Sequence, residues 1–338
     1  MKSFVIHGAE DARIEESEPP VPTDDQVRVR VRYVGICGSD LHYYFEGANG
    51  DFVIREPLVP GHELSAVVDL DPRGEWEPGT PVTIHPATFG PDRPGMEGLR
   101  HLRPGGSYLG SASTWPHTQG ALAELLIVER FMVRPLPGEL DLRRAALAEP
   151  LAVALHACTM AGDLTGRDVV VSGAGPIGLL VAFAARARGA ARVAVSDVLP
   201  GPLARARELG FDEVYRAGET PLPAGGFDVA MECSSARSSI AACIDALKPR
   251  GVLAQVGILP ARPMELVLSA LVSKELTWRG CFRFDDEIDE AVELLAASGE
   301  TDAVISHVVA ADAAREAFAL AKDSDASGKV LIEVWGEG

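Results

Sequence analysis

Cysteine is scarce in this chain: five among 338 residues, odd in number and irregular in spacing. That argues against a disulfide framework and for a reducing compartment, the cytoplasm. Positive charge is also short. Against 49 Asp and Glu stand 31 Lys and Arg, a formal charge of −18. So acidic a surface repels nucleic-acid phosphates and anionic membranes; solubility is its plain consequence. No apolar run reaches the length of a membrane span, and even Ile177 to Arg186 falls short. The first residues carry one basic side chain and a short apolar patch, then turn acidic at Glu10-Asp11, which is not a signal-peptide pattern. There is no internal repeat and no low-complexity tract. Apolar residues, by contrast, make up 47% of the chain, enough for a sizeable core, and the length suits two domains.

The first 140 or so residues hold short β-type runs broken by Pro and Gly: 26–34, 64–70, 81–84 and 121–128. Such runs predict a small barrel or sandwich. Between Pro86 and Ser113 the chain is loop-like, rich in Gly and Pro, without periodicity. From Glu149 strand and helix patterns alternate. Strands are expected at 168–172, 192–196, 213–215, 228–233, 251–256 and 276–282, with helices at 177–187, 202–209, 238–247 and 264–273. This is the pattern of a doubly wound parallel sheet. Two more helices, 287–297 and 313–321, and a strand at 329–334 are expected to return to the first domain, giving boundaries of 1–148, 149–284 and 285–338.

Gly173-Ala-Gly175-Pro-Ile-Gly178 follows the apolar run Asp168 to Ser172 and opens a helical run. A lone Gly-x-Gly-x-x-Gly is weak, but strand before and helix after make it a dinucleotide-binding turn. The first Gly permits the turn, the second admits the pyrophosphate, and the third allows helix and strand to pack closely. Pro176 and Ile177 start the helix, where free amides meet phosphate charge and a missing N–H costs little. Asp197 closes the next strand, 19 residues past Gly178 (197 minus 178). It occupies the place of the acid that holds the adenosine ribose and repels the extra phosphate of NADP, so NAD is the expected cofactor.

Cys37 alone reads as a buried thiol and His62 alone as a structural histidine. With Glu63 beside His62 they form a mixed S, N and O donor set that suits zinc. Gly35-Ile-Cys-Gly-Ser-Asp-Leu-His42-Tyr43, Gly61-His-Glu63 and Glu149-Pro-Leu-Ala-Val-Ala-Leu-His156 together resemble the zinc-dependent medium-chain dehydrogenases. The likeness runs from Val29 to the C-terminal strand. It is greatest to the polyol branch of sorbitol, xylitol and L-idonate dehydrogenases, through Phe52 to Glu63, Trp115-Pro-His-Thr-Gln-Gly120 and Arg279-Gly-Cys-Phe-Arg-Phe284.

The resemblance implies a GroES-like β-rich catalytic domain joined to a Rossmann domain. It implies Cys37, His62 and Glu63 as zinc ligands, with Glu149 reaching the metal or its water where other alcohol dehydrogenases use a second cysteine. Tyr43, Glu149 and Arg283 correspond to substrate contacts. Ser39 corresponds to a proton relay that His42 extends to solvent. The activity implied is oxidation of a secondary alcohol on a sugar acid or polyol, L-idonate first and sorbitol or xylitol as the alternative, in a homodimer or homotetramer. A non-catalytic nucleotide-binding protein on the same fold is the competing reading, and it predicts loss of the metal ligands. Two departures stand out. Relatives carry closely spaced cysteines for a structural zinc in the lobe corresponding to 86–113, and this chain has none there. One zinc per chain is therefore expected, with the lobe packed through Leu99, Leu102 and Tyr108. The arginine that follows the ribose acid in many relatives is also missing.

Overall fold

The strand Gln26–Gly35 alternates valine with arginine. Val27, Val29 and Val31 are fully buried, while Arg28 and Arg30 turn outward onto Asp69. It is the centre of the first sheet. In the computed structural model, which describes residues 1–336, that sheet runs Val133–Pro135, Pro81–Ile84, Glu63–Leu70, Gln26–Gly35, Lys329–Glu333 and Ile305–Ala310, with Leu125–Glu129 also paired to the central strand. A hairpin, Lys2–Gly8 with Asp11–Glu16, packs against it. The hairpin and the helix Gly38–Glu46 were not expected from sequence.

The second sheet has six parallel strands in the order Val214–Arg216, Arg192–Asp197, Asp168–Ser172, Phe227–Glu232, Leu247–Gln255 and Thr277–Gly280. It is doubly wound, as the pattern predicted. Val169 and Val171 face one buried cluster and Val170 another, so both faces are covered. The helix Ala148–Ala161 is buried along most of its length beneath one face. After the last parallel strand the helix Ile288–Ala297 still packs in this core; the strands Ile305–Ala310 and Lys329–Glu333 then rejoin the first sheet.

Two expectations fail. The helix expected over 264–273 is present only at Ser269–Ser273. Met264 and Leu266 pack inward while Val267 is 80% exposed, so the run before it follows an extended period of two. Nor is the lobe packed through Leu99 and Leu102; its apolar anchors are Leu109 and Ala112, buried in the core of the first domain. Leu99 and Leu102 are exposed. Further ties reach the other domain: Arg100 to Asp285 (2.8 Å) and Asp286, the His101 ring against His156 (4.7 Å between centroids) and, just before the lobe, His85 Nε2 to the Asp285 carbonyl (2.8 Å). Of the three residues named for packing, Tyr108 alone is buried.

Candidate active site

Cys37 ends the segment after the central strand and caps the helix Gly38–Glu46. Asp40 in that helix is buried; its carboxylate accepts from the amides of Cys37 (2.9 Å) and Gly61 (3.1 Å). One aspartate thus pins the two segments that bear Cys37 and His62. Glu63 begins the neighbouring strand, opposite Gly35 in register. Donor atoms of Cys37, His62 and Glu63 all lie within 4.8 Å of one another. Glu149 is outside that group.

The three residues fit a zinc ion. They supply thiolate, imidazole and carboxylate, and three protein ligands leave a fourth position for a reacting oxygen. His62 Nδ1 is buried without a hydrogen-bond partner. Burial alone would lower the His62 pKa, yet Asp40, with Cys37 and Glu149 nearby, outweighs it and raises it to about 10. The surroundings are built to stabilise a cation.

Lys329, from the C-terminal strand, is the residue that sequence reasoning missed here. It is 3% exposed and hydrogen-bonds Glu63 Oε1 (2.7 Å) and the Ile36 carbonyl (3.0 Å). Its Nζ also lies 2.6 Å from Glu63 Oε2, so the ammonium sits against both oxygens of the carboxylate. A lysine among Val330, Leu331 and Ile332, all buried, is the signal that could have found it. Gly35 completes the cradle. A Cβ there would sit 2.2 Å from Glu63 Oε2. Gly35→Ala is therefore expected to weaken zinc binding about tenfold or more, measured by chelator competition. Unchanged affinity would mean that Glu63 is not a ligand.

Beside this cluster lies a second assembly. Glu149 opens the helix Ala148–Ala161 and is 4% exposed; burial pushes its carboxyl pKa up. Its Oε1 accepts from the Tyr108 hydroxyl at 2.5 Å. The Tyr108 ring meets His62 edge-on (5.3 Å between centroids), and the Arg283 guanidinium lies over its face at 4.1 Å. Asp285 and Asp286, the obvious partners for Arg283, are both held by Arg100. Arg283 sits at φ +53°, a left-handed conformation that costs a non-glycine residue about 1 kcal/mol or more.

The other expected residues are placed as follows. Ser39 is half-buried in the first turn after Cys37. His42 is exposed and bonded to Glu46 (2.9 Å), with no hydrogen bond to Ser39. Tyr43 is 1% exposed; its hydroxyl accepts from the Ala112 amide (3.0 Å), which ties it to the end of the lobe.

The three glycines of the turn between Ser172 and the helix Pro176–Ala187 differ in the space around them. Gly173 has φ +99° and a Cβ there would approach Ser234 N to 2.9 Å. A Cβ on Gly178 would lie 1.7 Å from the Gly173 carbonyl. Gly175 faces open space, where a phosphate could approach. Pro176 occupies the first turn of the helix Pro176–Ala187, followed by Ile177. Asp197 ends its strand and accepts from Ala174 N (2.7 Å) and Leu199 N (2.9 Å), so it is fixed at the mouth of the turn with lone pairs to spare.

Two family models cover most of the chain: an alcohol dehydrogenase GroES-like domain over residues 23–138 and a zinc-binding dehydrogenase domain over residues 176–297. An L-idonate 5-dehydrogenase (NAD(P)(+)) of Escherichia coli is 38% identical over 274 residues, 79% of this chain and 80% of that protein. A sorbitol dehydrogenase of Macaca fascicularis is 34% identical over 333 residues, 94% of this chain and 91% of that one. The crystal structure of L-idonate 5-dehydrogenase from Escherichia coli superposes with a TM-score of 0.93 at 33% identity, covering 98% and 97% of the two chains. The chain belongs to the zinc-binding dehydrogenases, a family of oxidoreductases, and pairs a GroES-like domain with a Rossmann-like one.

Proposed function

We propose, from membership of that family and from the cluster of Cys37, His62 and Glu63 beside Glu149 and Arg283, that the protein oxidises a secondary alcohol on a sugar acid or polyol with NAD. L-idonate, giving 5-ketogluconate, is the favoured substrate; sorbitol or xylitol is the alternative. The carrying observation is the cluster itself, since a non-catalytic nucleotide binder would have no reason to keep three donors within 4.8 Å. When bound, zinc supplies Lewis acidity to the substrate oxygen and the nicotinamide accepts the hydride.

The chain's own residues do the rest. Cys37, His62 and Glu63 hold the metal, and Glu149 lies where it can take a proton or a substrate hydroxyl. Ser39 offers a hydroxyl beside Cys37 for proton exit, and His42, exposed one turn on and bound to Glu46, would extend that relay to solvent. Arg283 offers a fork of donors to vicinal hydroxyls or a carboxylate. Gly173, Gly175 and Gly178 receive the pyrophosphate, and Asp197 favours NAD over NADP. One zinc per chain is expected, because the lobe is held by Arg100, His85 and His101 and contains no cysteine. The edge strand Thr277–Gly280 has an unpaired side, with Val272 and Phe282 exposed nearby, and pairing with a second copy would cover it.

The test is turnover by purified, zinc-loaded protein of L-idonate, D-gluconate, sorbitol and xylitol with NAD and with NADP. Turnover of L-idonate with the higher kcat/KM on NAD is expected. Turnover of sorbitol or xylitol without L-idonate would promote the alternative, and no turnover of any would overturn the reading. In the same panel Arg283→Ala is expected to lower kcat/KM for the best substrate about tenfold, or 1.4 kcal/mol. An equal loss on simple alcohols would assign Arg283 to structure instead.

A further inference from the structure

We infer that Tyr108 is the positioning residue that sets substrate choice, by holding Glu149 and Arg283 at a fixed separation so that they meet neighbouring hydroxyls of one substrate together. This rests on the proposed reading of the site as a polyol or sugar-acid dehydrogenase. Tyr108 comes from the lobe, in the short ladder where Ala87 pairs with it, and is 5% exposed. Its hydroxyl makes its only recorded side-chain hydrogen bond, among the described residues, to Glu149 Oε1, and that bond is also the only one recorded for the Glu149 side chain. Its ring face carries Arg283 (4.1 Å) and its edge meets His62 (5.3 Å).

A buried carboxylate and a guanidinium around the same ring would ordinarily close into a bidentate ion pair. Here they do not; no salt bridge joins them among the described residues. The phenol stands between them. Its hydroxyl occupies one oxygen of the carboxylate, and its π-face holds the cation by a contact that consumes none of its N–H donors. Glu149 keeps acceptor capacity and Arg283 keeps donors. An acceptor and a donor a ring apart, next to the metal cluster, match an alcohol that carries hydroxyls on the carbons beside the reacting one. A substrate with a lone hydroxyl uses neither. The Phe282 ring, 4.9 Å from the guanidinium, backs it from another side, and Arg100's hold on Asp285 and Asp286 leaves it free of those acids.

The two halves of the role separate by substitution. Tyr108→Phe keeps the ring and removes the bond to Glu149; Tyr108→Leu removes both. On zinc-loaded protein with NAD, Tyr108→Phe is expected to raise KM for the best polyol-type substrate about fivefold to tenfold, with a smaller change in kcat. Tyr108→Leu should raise it further. In an Arg283→Ala background, Tyr108→Leu should add much less than it does alone, because the guanidinium it supports is gone. Zinc retention by chelator competition and NADH binding by fluorescence should match the parent in both variants. An unchanged KM in Tyr108→Phe, or multiplicative effects of Tyr108→Leu and Arg283→Ala, would overturn the inference. So would loss of zinc or NADH binding in Tyr108→Phe, since Tyr108 would then be structural. If the parent protein oxidises no polyol or sugar acid, the functional reading fails and this inference falls with it. If the parent does and Tyr108→Phe behaves like it, only the inference fails.

Discussion

His62→Ala is expected to lose zinc and alcohol oxidation together, with kcat/KM reduced about a thousandfold or more, equivalent to about 4 kcal/mol of Lewis-acid stabilisation. The imidazole is one of three donors clustered among the described residues and is buried where no water-borne ligand can replace it cheaply. Asp40 and Glu149 would then face a site with neither imidazole nor metal. NADH binding should survive, because Gly173, Gly175, Gly178 and Asp197 lie in the other domain and share no hydrogen bond with His62. Metal analysis, turnover and NADH fluorescence on one preparation give the answer. Parental turnover in a zinc-free variant would mean that the metal is not catalytic.

Lys329→Met is expected to show the largest effect on stability. Lys329 and Glu63 are 3% and 1% exposed, so removing the ammonium strands a buried carboxylate. Breaking such a pair costs about 3–5 kcal/mol. In the parent, Glu63 outweighs burial and raises the Lys329 pKa, so the ammonium is held charged. Zinc should restore much of the loss, because it offers Glu63 another cation and binds only the folded state. Urea unfolding with and without zinc checks this: the variant should gain far more from the metal than the parent does. An equal destabilisation in both conditions would mean that Glu63 does not ligate zinc. The same measurement on Gly35→Ala separates space from charge, since there the lysine remains.

The nucleotide half of the fold was legible because its signals are local. Gly173 to Gly178 sits between its strand and its helix, and each parallel strand is a short run buried on both faces. The helix Gly38–Glu46 was hidden because only Asp40, Tyr43 and Tyr44 of its nine residues are buried, too few to show a period. Met264 and Leu266 misled because a short apolar run before a true helix fits either period. At the site, Cys37, His62 and Glu63 could be found by residue type, but what tunes them could not. Lys329 reaches Glu63 across 266 residues, and Tyr108 reaches Glu149 from a lobe with no periodicity. Those contacts exist only in three dimensions.

The order of the first sheet has a consequence for synthesis. The strand next to Gln26–Gly35 is Lys329–Glu333, made long after it. The parallel sheet is contiguous, from Asp168 to Gly280, and can close while that strand is still unmade. Domains ordinarily complete from the N-terminus onward. Here the earlier domain finishes later, with one edge of Gln26–Gly35 open and Glu63 without its counter-ion until Lys329–Glu333 has been made. A nascent chain paused before residue 329 is therefore expected to bind nucleotide before it can hold metal.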